Sequence, residues 1–431
     1  MAITITDSPN DFTFKGQRLI YTATSTNTAQ TGFKFIVEVK DGATTLGKYY
    51  VPQNPSNILV FDIAEVVREL VQVDTNDDLG NGLIHTLPNV STKQMSKALK
   101  GIAKLSIEIG EVYGDPLVEY TALASDTIIL TSGNIQAREG YKYSLSEYIA
   151  DASTKKVFLT NRKPSPLNVI SKDHIEIKCT DTDYGSMAVW NDDTTISSTA
   201  TKIMYKIYHA GGLFGSQAMS FSTLNGSDVP SSTDISAKLT YIGLFPANWS
   251  SSNSPLLSAY RPVYVSGWRY YTIQMLDASS NPVSEPIYFV NTPSPCKHSP
   301  VQLAWVNQLG AWDYFRMDAR TSRSITTTAK EYMKTLGDYS SSTYSFDTWS
   351  RQQTPYQVDA KLQYILRTEY LSKEDTELLQ NVLKSKNVMM QLDGEWLPIV
   401  VKTTSLNYET ETISKRLTMT FNVELAQNEL C

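Results

Sequence analysis

Cysteine is scarce in this chain. Cys179, Cys296 and Cys431 are the three in 431 residues, an odd number placed far apart. That argues against a disulfide framework and fits assembly in a reducing cytoplasm. Long apolar runs are also missing: "TIILT" at 127–131 falls far short of the roughly 20 residues that span a bilayer. The opening "MAITITDSPNDF" has neither a basic start nor an apolar stretch, so no secretion signal is expected. Basic excess is lacking too. A formal charge of −6 and a pI near 5.4 argue against chain-wide duplex binding, which needs clustered Lys and Arg. There is no G-x-S-x-G, P-loop, H-E-x-x-H or G-x-G-x-x-G.

What is present favours strands. Aromatic residues make up 10% and charged residues only 19%, with serine and threonine abundant, a composition suited to pleated sheets. Period-two alternation recurs. "FKFIVEV" puts Phe33, Phe35, Val37 and Val39 on one face, with Asp41-Gly42 as a turn. "KLSIEIG" does the same with Leu105, Ile107 and Ile109. In "SKRLTMTFNVELA", Leu417, Met419, Phe421, Val423 and Leu425 point one way, and Thr418, Thr420, Asn422 and Glu424 the other. Two helices are expected as sheet covers. "FDIAEVVRELV" has Asp62 as N-cap and Glu65 three later. "LSKEDTELLQNVLKS" has Ser372 as cap, Asp375 at the third position, and a stripe of Leu378, Leu379, Val382 and Leu383. A third short helix is expected at 92–101.

Proline-rich joints at 160–169 and 291–300 read as linkers. They divide the chain into 1–160, 161–297 and 298–431. The first two segments end alike, in strand, polar turn with proline, strand. The expected fold is therefore mainly β: two serial β-sandwich modules, immunoglobulin- or fibronectin-like, then a C-terminal α+β sheet or small barrel with one helix.

Sites of chemistry are few. The histidines are His85, His174, His209 and His298. His174 and Cys179 are five apart in a strand, hence on opposite faces. Cys296 and His298 have no second pair nearby, so no metal is expected. "DTNDDLGNG" (74–82) resembles a calcium loop through Asp74, Asn76 and Asp78. Its glycine, Gly80, comes one residue late, and His85 stands where a bidentate Glu belongs, so a solvated turn is expected. Asp181, Asp183, Asp192 and Asp193 surround one loop, and a glycoside-acting enzyme would need such carboxylates to converge. The loop 244–262 carries Phe245, Trp249 and Tyr260. Trp249 and Tyr260 are candidate sugar contacts, and packing beneath the loop is the plainer reading.

The densest feature is "LAWVNQLGAWDYF" (303–315). Read as a hairpin with Gln308-Leu309 as the turn, it sets Trp305 opposite Trp312 and leaves Leu303, Trp305, Trp312 and Tyr314 on one face. Asn307 before and Gly310 after suit a type I or bulged turn. Both faces carry apolar mass, so one is expected to meet a neighbouring subunit.

The run "WVNQLGAWDYF", followed by "LSKEDTELLQNVLKSKNVMMQLDGEWLPIVVKTTSLNYETETISKRLTMTFNVELA", resembles C-terminal regions of virion proteins of tailed bacteriophages. The segment from "YTATSTNTAQTGFKFIVEV" through "VFDIAEVVREL" resembles the N-terminus of such proteins. The resemblance implies a structural, tail-associated role without catalysis or cofactor. A homo-oligomeric ring is expected at the baseplate, tail tip or neck, assembled in the host bacterial cytoplasm with other tail proteins. Trp305, Trp312, Tyr314, Thr418, Thr420 and Asn422 are its expected interface residues. The alternative is a receptor-binding, adhesin-like protein presenting the 244–262 loop to host surface glycans for attachment.

Overall fold

The computed structural model describes residues 3–89, 93–134, 145–148, 156–190, 200–225, 235–292, 299–337, 342–345, 347–403, 417–427 and 429–430. The protein is mainly β. Two compact units are present, Met1–Pro293 with Val306–Tyr314, and Ser294–Trp305 with Phe315–Cys431. Residues on both sides of 160 fall in the first unit, and the chain passes to the second after Pro293.

The first sandwich is built from β1 (Ile3–Asp7), β2 (Phe12–Phe14), β3 (Ile20–Ser25), β4 (Lys34–Asp41), β5 (Thr44–Val51), β6 (Ile58–Asp62), β8 (Ile102–Tyr113) and β9 (Val118–Thr131), with β7 (Met95–Lys97) inside its long β6–β8 connection. One sheet runs β1-β3-β6. The other runs β2-β9-β8-β4-β5, with β2 and β9 parallel. The alternation in the sequence becomes the core: Phe35, Val37, Val39, Leu105, Ile107 and Ile109 face Tyr21, Ala23 and Leu59 across the two sheets. The helix expected after Asp62 is a single turn, α1 (Ala64–Val67). The N-cap is Ile63, without a side-chain cap, and Asp62, expected as the cap, stands one residue earlier, its Oδ1 accepting from the Ala64 and Leu19 N–H groups at 3.0 Å each. The β-branched pair Val66-Val67 is a poor propagator, and the chain leaves to pair Gln72 N with Lys100 O at 2.8 Å.

The second sandwich holds β10 (Glu176–Cys179), β11 (Ser186–Trp190), β12 (Lys202–His209), β13 (Gly212–Ser220), β14 (Leu239–Gly243), β15 (Trp268–Leu276) and β16 (Ile287–Asn291), with short helices α2 (Phe221–Asn225) and α3 (Pro246–Ser250). Its larger sheet runs β10-β16-β15-β12-β13, again with a parallel pair, β10 and β16, at one edge. The likeness between the two segment ends thus extends to a shared strand order. The smaller sheet is β11-β14-β7, so a strand from the first segment completes the second sandwich. This strand lies where a third helix was expected. Tertiary pairing, with Ser96 opposite Tyr241, overrides the local helical pattern.

The second unit is one open sheet, not a barrel. The strands are β17 (Val301–Val306), β18 (Trp312–Met317), β19 (Ser322–Met333), β20 (Gln353–Arg367), β21 (Val388–Leu392), β22 (Glu395–Val401), β23 (Thr420–Leu425) and β24 (Glu429–Leu430). Their order is β18-β17-β21-β22-β23-β20-β19, with β24 also on β20. The expected helix is α4 (Lys373–Lys384), whose Ser372 Oγ accepts from Asp375 N at 3.0 Å. Leu378, Leu379 and Val382 pack on Leu303, Trp305, Leu366 and Phe421. Thr418, Thr420 and Asn422 stand exposed on the far face, as the alternation required.

Candidate functional site

The hairpin 301–317 turns through Asn307. Gly310 N donates to Asn307 O at 3.1 Å, and Asn307 N donates to Ala311 O at 2.8 Å. Gly310 holds φ +80°, the left-handed residue of a bulged turn. Asn307 therefore opposes Ala311, one position on from the expected register. This overturns the opposed Trp305–Trp312 pair, because a one-residue slip sends alternate side chains to different faces. Trp305 enters the core of the second unit, while Trp312 joins the first.

The tip of this hairpin, 306–314, is seated inside the first unit by polar bonds. Asn307 Oδ1 accepts from Leu309 N and Ala311 N at 2.9 and 3.1 Å, and its Nδ2 donates to Leu159 O at 3.0 Å. Ser132 Oγ donates to Gly310 O at 3.1 Å, and Asn134 N to Gln308 O at 2.7 Å. Trp312 Nε1 donates to Asp74 O at 2.8 Å. Asp313 accepts from Thr160 Oγ1 at 2.5 Å and Asn161 N at 3.1 Å. Arg162 donates to Tyr314 O at 2.7 Å. The residues 160–162, expected as free linker, are thus tied down.

Tyr314 OH accepts from Ser186 N at 2.9 Å and lies 2.6 Å from His85 Nδ1. Its ring packs on Phe245 at 5.0 Å, and His85 packs edge-on against Trp312 at 4.7 Å. Ser186, Tyr314 and His85 form a serine–tyrosine–histidine chain, yet all three are buried, so the arrangement acts as a lock between β11, β18 and the 84–86 turn. Burial alone lowers His85 to about 3 and keeps it neutral. Burial pushes the Asp313 carboxyl up, against the pull of Thr160 and Asn161. Asp74 is also raised by burial, though Leu99, Lys100 and Gly101 N–H groups hold its carboxylate. The expected solvated turn at 74–82 is therefore wrong at its first residue, because Asp74 organises the interior.

Trp305, Trp312 and Tyr314 are buried within the chain, away from the surface where an interface was expected of them. Trp249, offered as a sugar contact, is fully buried against Tyr205 at 5.5 Å. Tyr260 lies partly covered over Gly215, where an added Cβ would strike its ring at 2.4 Å. Burial removes Trp249 from the surface, while Tyr260 stays half-buried. Asp181 accepts from Trp268 Nε1 at 2.6 Å and Asp183 from Thr180 N at 2.8 Å, each absorbed locally. Asp192, Asp193, Cys296, His298 and Cys431 lie outside the described residues. Among the described residues, no group of three or more His, Cys, Asp or Glu is placed to hold a metal, and no helix is long and apolar enough to cross a membrane.

Sequence reasoning passed over the most exposed element. β19 pairs with β20 from Ser322–Ile365 out to Met333–Gln353, and beyond the β23 and β24 pairings, from Ala329–Val358 outward, the two strands form a two-stranded arm on the second unit. Leu366, Tyr364, Leu362 and Ala360 are buried, and the same face then continues outward through Val358 to exposed Tyr356. Ile325, Tyr332 and Met333 are exposed on β19 and Trp349 in the connection to β20, Met333 by 75% and Trp349 by 78%. A two-stranded ribbon is marginal alone in water, and apolar groups in this number invite a partner. The signal was present as "SRSITTTAKEYM", a β-branched stretch without an apolar face of its own.

No protein-family model matches this chain, and comparison with curated proteins finds no matching relative.

Proposed function

We propose that the chain is a non-enzymatic structural component of a tailed-bacteriophage particle, a homo-oligomeric ring protein of the tail at its baseplate, tip or neck. It would assemble in the host cytoplasm with copies of itself and with other tail proteins. The observation that carries this reading is the exposed arm of β19 and β20, which extends a core face into solvent with apolar side chains uncovered. Such an element offers an unpaired edge to another chain and is only marginally stable alone. The polar outer face of β23, with Thr420 and Asn422, and Thr418 just before it, suits a wetted contact or a water-filled lumen. Serial sandwiches locked by a buried hairpin suit a rigid spacer. The glycan-binding alternative loses Trp249, which is fully buried, and is left with half-buried Tyr260 alone. Peptide mapping of purified particles, from cells that produce the chain, tests the role. The chain is expected at a fixed stoichiometry to the other tail proteins, and its absence from intact particles would contradict the role.

A further inference from the structure

Among the described residues β19 is the outermost strand of its sheet, hydrogen-bonded to β20 on one side only. Long edge strands are usually guarded by proline, a bulge, shortness or charged side chains. β19 has none of the first three, and its charges, Arg323, Lys330 and Glu331, are of both signs. It runs 12 residues without proline, and the irregularity near Lys330 and Glu331 places the extra residue, Tyr356, on β20. Every residue from Arg323 to Met333 is exposed. Ile325, Thr326, Thr327 and Thr328 supply β-branched side chains at its centre. Arg323 and Glu331 stand four residues to either side of Thr327 and share one face of the regular strand.

We infer that β19 pairs antiparallel with β19 of a second copy, about a two-fold axis at Thr327. This pairing deepens the self-assembly reading above and rests on it. In this register Arg323 opposes Glu331 at both ends, Ile325 opposes Ala329, and Ser324 opposes Lys330. Charge selects it: a two-fold at Thr328 gives the same overlap but sets Arg323 opposite Met333 and Glu331 opposite Ile325, leaving the charges unmatched. A shift by one residue can bring Arg323 opposite Lys330. Registers centred on Arg323, Lys330 or Glu331 set each charge against its own copy and shorten the overlap. Cross-strand opposite charges stabilise a sheet and like charges oppose it, so the strand is complementary to itself in one alignment. The contact is isologous, joins two sheets edge to edge, and covers the exposed backbone of both. The assembly then holds an even number of copies.

The test uses the full chain with exposed substitutions that leave the core untouched. Sedimentation velocity over a dilution series should give assemblies in multiples of two for the wild type. Arg323→Glu and Glu331→Arg should each weaken association by about ten-fold or more, since each sets like charges opposite at both ends. The double variant, Arg323→Glu with Glu331→Arg, should restore it. Thr327→Cys should give a disulfide-linked dimer under mild oxidant beyond any seen for the wild type. An oligomeric wild type indifferent to both single substitutions, or a double variant as weak as the singles, overturns the pairing and leaves self-assembly standing. A wild type that stays monomeric throughout overturns both.

Discussion

His85 sits at the centre of the hairpin seat with its Nδ1 on Tyr314 and its ring against Trp312. Burial holds it near 3, whereas in an unfolded chain it titrates near 6.5. The folded state therefore disfavours the charged form. Its contribution to stability is whole above about pH 6.5 and is lost as pH falls from there toward 3. Asp74 and Asp313 act with the opposite sign, because their raised carboxyls gain stability on taking up protons in acid. Comparing wild type with His85→Gln isolates the histidine. Between pH 7 and pH 5 the wild type should lose about 2 kcal/mol more than the variant, from about 1.4 kcal/mol per pH unit below 6.5. Urea midpoints followed by tryptophan fluorescence measure this, and parallel pH profiles would remove His85 from the account of the seat.

The elements visible in the sequence were those whose partners are dictated by the pleat or the helical turn. The apolar sets at 33–39, 105–109 and 419–423 are buried as alternation required, and α4 runs from the cap at Ser372. What failed needed distant partners. β7 is a strand because β14 claims its backbone, and the helix at Asp62 stops after one turn for the same kind of reason. The hairpin register turned on one residue. Gly310 at φ +80° absorbs an extra position, and that shift separates Trp305 from Trp312. An added Cβ there would come within 2.5 Å of Ser132 Oγ and 2.6 Å of Gly133 N. Gly310→Ala should therefore cost more than the roughly 1 kcal/mol of an ordinary glycine replacement at positive φ. A thermal melt unchanged by that substitution would contradict the seated, bulged turn.

At the scale of the molecule, the expected three-part division became two units, because β7 and the hairpin tip cross the boundaries that composition suggests. Polar bonds such as Trp312 to Asp74 join residues far apart in sequence, and no local pattern marks them. The arm was missed because its threonines show neither a buried stripe nor a charge block, although it holds the largest exposed side chains of the second unit. Its removal can be made without touching the core. Thr328 opposes Asp359 and Ala329 opposes Val358, so replacing 329–358 with Asn-Gly closes a short hairpin on the retained strands. The decisive comparison is the native mass of the full chain beside this shortened form at micromolar concentration. Assembly through the arm predicts oligomers for the full chain and a folded monomer for the shortened one. Equal masses for the two, or a solitary full-length chain, would contradict it.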